Sequence, residues 1–156
     1  MHSRHGPLTD VAAPMKDETS SLYLDSIIKN LPKRAKELEE ISKQNPDSER
    51  AFFSLVRQSF RYLQTIIDLQ NSRDEHGIGS AEGGEADSGR TRCHNATIDA
   101  INIWSRSLHR ANIDNSFLSG VLSKPLNRAV YGMFAVGLVL DIYTDEDFDI
   151  AKYQPN

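Results

Sequence analysis

The polar side chains that could do chemistry are concentrated between residues 90 and 112. Four of them follow one another at intervals of four, three and four residues: Asn95, Asp99, Asn102 and Arg106. In a helix, these intervals place all four on one face. His94 lies beside that face, one position toward the apolar stripe of the same stretch. Two amides, a carboxylate, a guanidinium and an imidazole form a surface that can bind a ligand or a partner protein.

Two other interpretations of this polar stripe stay open at the sequence level. The stripe is a solvated helix face in the first interpretation. In the second, Asn95 or Asn102 forms a hydrogen bond with the backbone of a neighbouring helix and fixes the register of packing. Asp99 and Arg106 are too far apart in sequence to form a pair directly. We therefore treat the stripe as a candidate site and not as an established one.

Catalytic and metal-binding patterns are weak in this sequence. Cys93 and His94 are adjacent, so in a helix they point about 100° apart and are badly placed for proton transfer. The acidic run at 145–149 lacks the central glycine and the terminal glutamate of an EF-hand calcium loop. The histidines show none of the spacings that are typical of zinc sites. We expect no catalytic set, no bound metal and no cofactor.

The most apolar stretch of the chain, residues 129–143, predicts the element on which the others pack. It holds a single charge, Asp141, and its apolar side chains point in every direction in a helix. Such a helix either lies at the centre of a bundle or spans a membrane. Because a span takes about 20 apolar residues, we interpret this shorter stretch as a buried central helix and expect no membrane association.

Apolar residues at three- and four-residue intervals predict the other helices. The fold class is therefore all-α, a four-helix-type bundle whose last helix is central. We expect main helices over 20–44 (kinked at Pro32), 48–71, 90–112 and 124–143, with a short connecting helix at 115–119. Asp47 or Ser48 is the predicted N-cap of the second helix.

Three segments lack this periodicity. Residues 1–19 are predicted to be a disordered tail, and residues 146–156 an acidic C-terminal tail. Residues 72–89 hold five of the nine glycines and almost no apolar side chains, which predicts a long flexible loop. We therefore predict a single helical domain over residues 20–145, with the loop at 72–89 inside it.

Charge and cysteine content limit the possible partners and the compartment. The net charge is −4, and acidic and basic residues are interspersed, so no basic stripe indicates nucleic-acid binding. A single cysteine excludes an internal disulfide and is typical of a reducing compartment. The N-terminal residues lack the apolar core of a secretory signal. We therefore expect a cytoplasmic protein.

Small residues on the central helix indicate a close crossing. They are Ala129, Gly132, Ala135 and Gly137. Since glycine costs about 1 kcal/mol relative to alanine inside a helix, we expect a tight approach by a neighbouring helix or by the same helix of a second copy. Arg128, at the start of this helix, is the candidate partner of Asp99.

Two short stretches carry a resemblance to a known family. Residues 90–99, RTRCHNATID, followed by Asn102 and Arg106, resemble the RTRxHNxxIxxxNxLxR helix of a small family of uncharacterised bacterial and phage-associated helical proteins. Residues 127–130, NRAV, resemble its second landmark, whereas Trp104 and Ser105 stand where a Leu-Asn pair is expected. The resemblance implies a helical fold and no particular reaction. It draws attention to six residues: Arg92, His94, Asn95, Asn102, Arg106 and Arg128.

The leading functional hypothesis is a non-enzymatic interaction or regulatory protein. We expect it to bind another protein or itself through the polar surface of the third helix. The alternative is a small ligand-binding protein or enzyme with a pocket between the last two long helices. That pocket would use His94, Asn95, Asp99 and Arg128, and Trp104 or Tyr131 would line it. Convergence of these side chains into one cleft distinguishes the alternative from the leading hypothesis.

Overall fold

A computed structural model describes residues 34–114 and 128–153. These residues form five helices and no strand: α1 (Arg34–Ser42), α2 (Pro46–His76), α3 (Ala81–Arg110), α4 (Arg128–Thr144) and α5 (Ile150–Tyr153). The all-α class is confirmed for this part of the chain. The predicted tail at 1–19, the kink at Pro32 and the connecting helix at 115–119 lie outside the described residues.

The two longest helices form an antiparallel hairpin. Phe52 of α2 contacts Trp104 of α3, and Tyr62, ten residues further along α2, contacts His94, ten residues earlier in α3. With 31 and 30 residues, the two helices are each about 45 Å long at 1.5 Å per residue. The predicted apolar stripe of α2 faces the interior of the bundle, since Phe52, Leu55 and Val56 are almost fully buried.

The start of α2 differs by two residues from the prediction. Asn45 is the N-cap, and its Oδ1 accepts hydrogen bonds from the backbone N–H groups of Asp47 at 3.0 Å and Ser48 at 3.3 Å. Pro46 occupies the first turn, where its missing N–H costs nothing. Asp47 and Ser48 are therefore inside the helix and not its cap.

The predicted loop over 72–89 is wrong. Helix α2 continues to His76, and α3 begins at Ala81, so only residues 77–80 lie outside helices. Gly77 and Gly79 both adopt a φ of 85°, which favours glycine and closes the turn. Ser80 then caps α3 by accepting a hydrogen bond from the Gly83 N–H at 3.0 Å. Packing against α2 stabilises the glycine-containing turns of α3 despite their low helix propensity.

Helix α4 is buried, as predicted, whereas its place as the central helix of a four-helix bundle stays a prediction. Every residue from 130 to 139 is buried, and α4 contacts α1, α2 and α3. Its single carboxylate, Asp141, accepts a hydrogen bond from the backbone N–H of Ala35 at 2.8 Å and so caps the first turn of α1. Within the described ranges, no helix combines the length and the apolar character that a membrane span requires.

The predicted acidic tail is wrong for residues 148–153. Phe148 and Tyr153 are 7% and 3% exposed, and Tyr153 packs against Phe52 and Phe53 of α2. The acidic residues dominate the composition of this segment, but two aromatic side chains five positions apart attach it to the core. Residues 154–156 lie outside the described part.

Candidate functional site

The predicted polar stripe of α3 does not form a single cleft in the described structure. Three of its four residues, Asn95, Asp99 and Arg106, are exposed, and so is the nearby Arg92. Asn102 is half-buried, and so is His94, whose ring lies 5.4 Å from the ring of Tyr62 on α2. His94 is thus turned toward the interior, whereas Asn95 and Asp99 face solvent.

His94 lies where α2, α3 and α4 meet. An ideal Cβ at Gly132 of α4 would lie 3.2 Å from Nε2 of His94 and 2.9 Å from Oη of Tyr62. Because Gly132 has no side chain, α4 can cross α2 and α3 closely, as its position predicts. The residues that approach it, Tyr62 and His94, belong to the same chain. The side chain of Arg128 lies outside the described part, so its pairing with Asp99 stays a prediction.

The aromatic residues named for a ligand pocket are core residues. Trp104 is 0% exposed, and its Nε1–H donates a hydrogen bond to Ser42 Oγ at 2.9 Å. Tyr131 is 9% exposed. Both aromatic residues are thus buried, whereas Asn95 and Asp99 are exposed, and the pocket between the last two long helices stays a prediction.

One predicted residue, Asp99, lines a groove on the outer face of the α2–α3 hairpin. The groove has a volume of about 410 Å³ and is lined by Phe53, Ser54, Arg57, Gln58, Arg61, Ala96, Asp99, Ala100 and Ile103. Ile103 is 50% exposed there, although it is a large apolar residue. The Arg57 guanidinium lies 5.4 Å above the centre of the Phe53 ring, a cation–π contact that holds it at the groove. We call this surface the hairpin groove.

A second concave site lies between the C-terminal half of α2 and the N-terminal half of α3. It has a volume of about 310 Å³ and is lined by Tyr62, Ile66, Leu69, Gln70, Arg73, Asp87 and Arg90. The site does not follow from the sequence, because the glycine content of residues 72–89 predicts a loop there. A hairpin centred on residues 77–80 places Arg90 opposite residues 66–67 of α2, about two turns before Arg73, and both side chains border the same pocket. We call it the arginine pocket.

Tyr62 is the inner end of the arginine pocket. Burial raises the pKa of its phenol, and the charge of Arg90 together with a hydrogen bond from Arg90 opposes that rise. Tyr62 is 7% exposed, and its phenol stays protonated at neutral pH. It is therefore a hydrogen-bond donor as well as an acceptor at the base of the pocket.

A buried polar cluster joins α1 to the C-terminal segment, and the sequence did not indicate it. Tyr153 donates a short hydrogen bond to Glu39 Oε2, and Lys36 Nζ donates one to Glu39 Oε1 at 3.1 Å. Burial raises the pKa of the Glu39 carboxyl, but the hydrogen bonds from Tyr153 and Lys36 and the charges of Lys36 and Lys43 outweigh it. The net result is a pKa below the ordinary value. Burial and the bond to Glu39 raise the pKa of Tyr153.

This cluster predicts a pH-dependent contribution to stability. Because the folded-state pKa of Glu39 lies below its ordinary value of 4.5, the ionised carboxylate stabilises the fold above that value. The contribution is lost as the pH falls through the folded-state pKa. We expect Glu39→Gln to lower the free energy of unfolding by about 1–2 kcal/mol at pH 7 and by much less at pH 3, as measured by urea denaturation.

Glu40→Gln is the matched control, because the Glu40 side chain is 59% exposed and its pairing with Lys43 spans 3.7 Å. An exposed pair contributes little, so this variant should unfold like the wild type at both pH values. A loss for Glu39→Gln that does not change with pH would contradict the assignment.

The same end of the molecule carries an acidic groove of about 940 Å³ between α1 and the end of α4. Its carboxylates are Glu37, Glu40, Asp141, Asp145, Glu146 and Asp147. Asp141 is engaged as the cap of α1. In the described ranges, no group of three or more His, Cys, Asp or Glu side chains is arranged to hold a metal ion.

Comparison with known proteins adds no assignment to this geometry. The chain matches no protein-family model, and searches of curated proteins and of solved structures found no similar protein.

Proposed function

We propose that this protein is a non-enzymatic, cytoplasmic interaction module that self-associates through the hairpin groove. The observation that carries the proposal is the exposure of Ile103, 50%, at a groove that also holds the half-buried ring of Phe53. Scattered exposed apolar residues are normal, but an apolar centre with a polar rim is typical of a protein interface. Asp99, on the predicted polar surface of α3, belongs to that rim.

Charge complementarity favours a second copy of the chain as the occupant. Arg57 and Arg61 lie on the α2 wall of the groove, and Asp99 lies on the α3 wall. A two-fold axis along the groove places the α2 wall of one copy opposite the α3 wall of the other. The arginines of each copy then face Asp99 of the other copy, so the same contact forms twice in the dimer. This is the self-complementarity that an isologous interface requires. In the part of the chain that is described, neither Arg61 nor Asp99 has an ion-pair partner that would compete.

The small residues of α4 are a weaker basis for self-association. Gly132 is already approached by Tyr62 and His94 of the same chain, and residues 130–139 are buried within one copy. A second copy would have to displace these contacts to reach α4. The hairpin groove lies on the surface of the described residues, so a second copy reaches it without displacing them.

Ile103→Lys tests the proposal. We expect sedimentation equilibrium of the wild type to show a concentration-dependent dimer. The variant should raise the dimer dissociation constant at least about tenfold, because it places a charge at the apolar centre of the interface. Ile78→Lys is the matched control, since Ile78 is 91% exposed and lies in the α2–α3 turn, outside the groove. It should leave the dissociation constant unchanged.

A charge exchange tests the two-fold geometry separately. Arg61→Asp and Asp99→Arg should each weaken the dimer, and the double variant should recover most of the wild-type affinity, since the opposed charges are restored. A wild type that stays monomeric at millimolar concentration would overturn self-association. An equal effect of Ile78→Lys and Ile103→Lys would show that the hairpin groove is not the interface.

A further inference from the structure

We propose that the arginine pocket binds a small organic anion, a carboxylate or phosphate that carries an apolar group. This site is independent of the self-association proposed above, because the pocket and the hairpin groove share no lining residue. Its volume of about 310 Å³ lies at the lower end of the range of roughly 300–1,000 Å³ that small-molecule sites occupy.

Two guanidinium groups from different helices give the pocket its preference for anions. Arg73 comes from the last turn of α2, and Arg90 from the first half of α3. Asp87 orients Arg90, since its Oδ1 accepts from Nε and lies 3.2 Å from Nη2. Arg90 Nη2 also donates a hydrogen bond to Thr91 Oγ1 at 3.3 Å, and Arg90 bonds to the Tyr62 phenol, so these contacts hold the guanidinium in place beside the pocket. A guanidinium binds carboxylate and phosphate oxygens through paired N–H groups.

The inner part of the pocket is suited to an apolar group. Ile66 and Leu69 are 8% and 7% exposed and form its floor. The Tyr62 hydroxyl adds a polar atom at the base. An anion held by Arg73 and Arg90 at the rim would place its apolar part on this floor.

The experiment is a titration of the full chain with phenyl phosphate and benzoate, followed by amide NMR and calorimetry. Inorganic phosphate carries the charge without the apolar group, and benzyl alcohol carries the apolar group without the charge. The two compounds therefore separate the two contributions to binding. We expect shifts at Tyr62, Arg73 and Arg90 with both aromatic anions, weaker binding of inorganic phosphate, and no binding of benzyl alcohol.

Arg73→Gln should weaken the binding of phenyl phosphate about tenfold, because one of two charge-assisted contacts is removed. Arg92→Gln is the matched control, since Arg92 is exposed on α3 and does not line the pocket. Both residues are exposed, so both variants should melt like the wild type. An absence of shifts at millimolar phenyl phosphate, equal losses in the two variants, or equal affinity for inorganic phosphate would overturn the proposal.

Discussion

Replacement of Trp104 by alanine is expected to lower the free energy of unfolding by about 3–5 kcal/mol, the largest effect of any substitution considered. Trp104 is 0% exposed and contacts Phe52 of α2 and Phe134 of α4, with ring centres 5.7 and 6.3 Å away. Its removal leaves a cavity where α2, α3 and α4 meet. It also leaves the Ser42 Oγ without the indole N–H that it accepts at 2.9 Å.

Urea denaturation followed by circular dichroism measures this effect, since Trp104 is the only tryptophan and its fluorescence is lost with the substitution. Trp104→Phe is the matched control. It keeps most of the apolar volume and removes the hydrogen bond to Ser42, so we expect a smaller loss of about 1–3 kcal/mol. A loss below about 1 kcal/mol for Trp104→Ala would contradict the central position of this side chain.

Gly132→Ala is expected to destabilise the protein by about 1–3 kcal/mol, although alanine is the better helix former. The added methyl group would lie 2.9 Å from Tyr62 Oη and 3.2 Å from two atoms of the His94 ring. Relief of the contact requires the Tyr62 and His94 rings to shift or α4 to move away from α2 and α3, and either change disturbs the packing where the three helices meet. Thermal and urea denaturation measure the loss.

Two further variants show whether the close crossing is the cause. Gly84→Ala introduces the same methyl group on α3, where nothing lies within 4 Å of the ideal Cβ, so it should stabilise the protein by about 0.5–1 kcal/mol. Tyr62→Phe removes the hydroxyl nearest to Gly132, and the double variant Gly132→Ala/Tyr62→Phe should lose less than the sum of the two single variants. Strict additivity would contradict a direct contact.

The core of each long helix could be predicted from the sequence, because it depends on residues three and four positions apart. The apolar stripe of α2 and the all-round apolar character of α4 identify their buried residues without reference to any partner. The loop predicted at 72–89 is wrong because that prediction relied on the glycine content. Gly83, Gly84 and Gly89 lower the intrinsic helix propensity, but α3 packs against α2 along its length, and packing stabilises helices more than propensity does.

The candidate sites depended on which side chains the helices bring together. The spacing of Asn95, Asp99, Asn102 and Arg106 predicts a shared face, and three of the four are indeed exposed. The spacing does not reveal that Asp99 lies across a groove from Arg57 and Arg61 of α2. It also does not reveal that His94, one position away, turns inward against Tyr62.

By itself, the sequence determined the helical class and the burial of α4, since both follow from the local pattern of apolar side chains. Only the tertiary structure decided where chemistry can occur. The arginine pocket joins Arg73 to Arg90 across a four-residue turn, and the Glu39–Tyr153 bond joins residues 114 positions apart. Such contacts are set by the order and direction in which helices pack, and no short-range pattern along the chain encodes that arrangement.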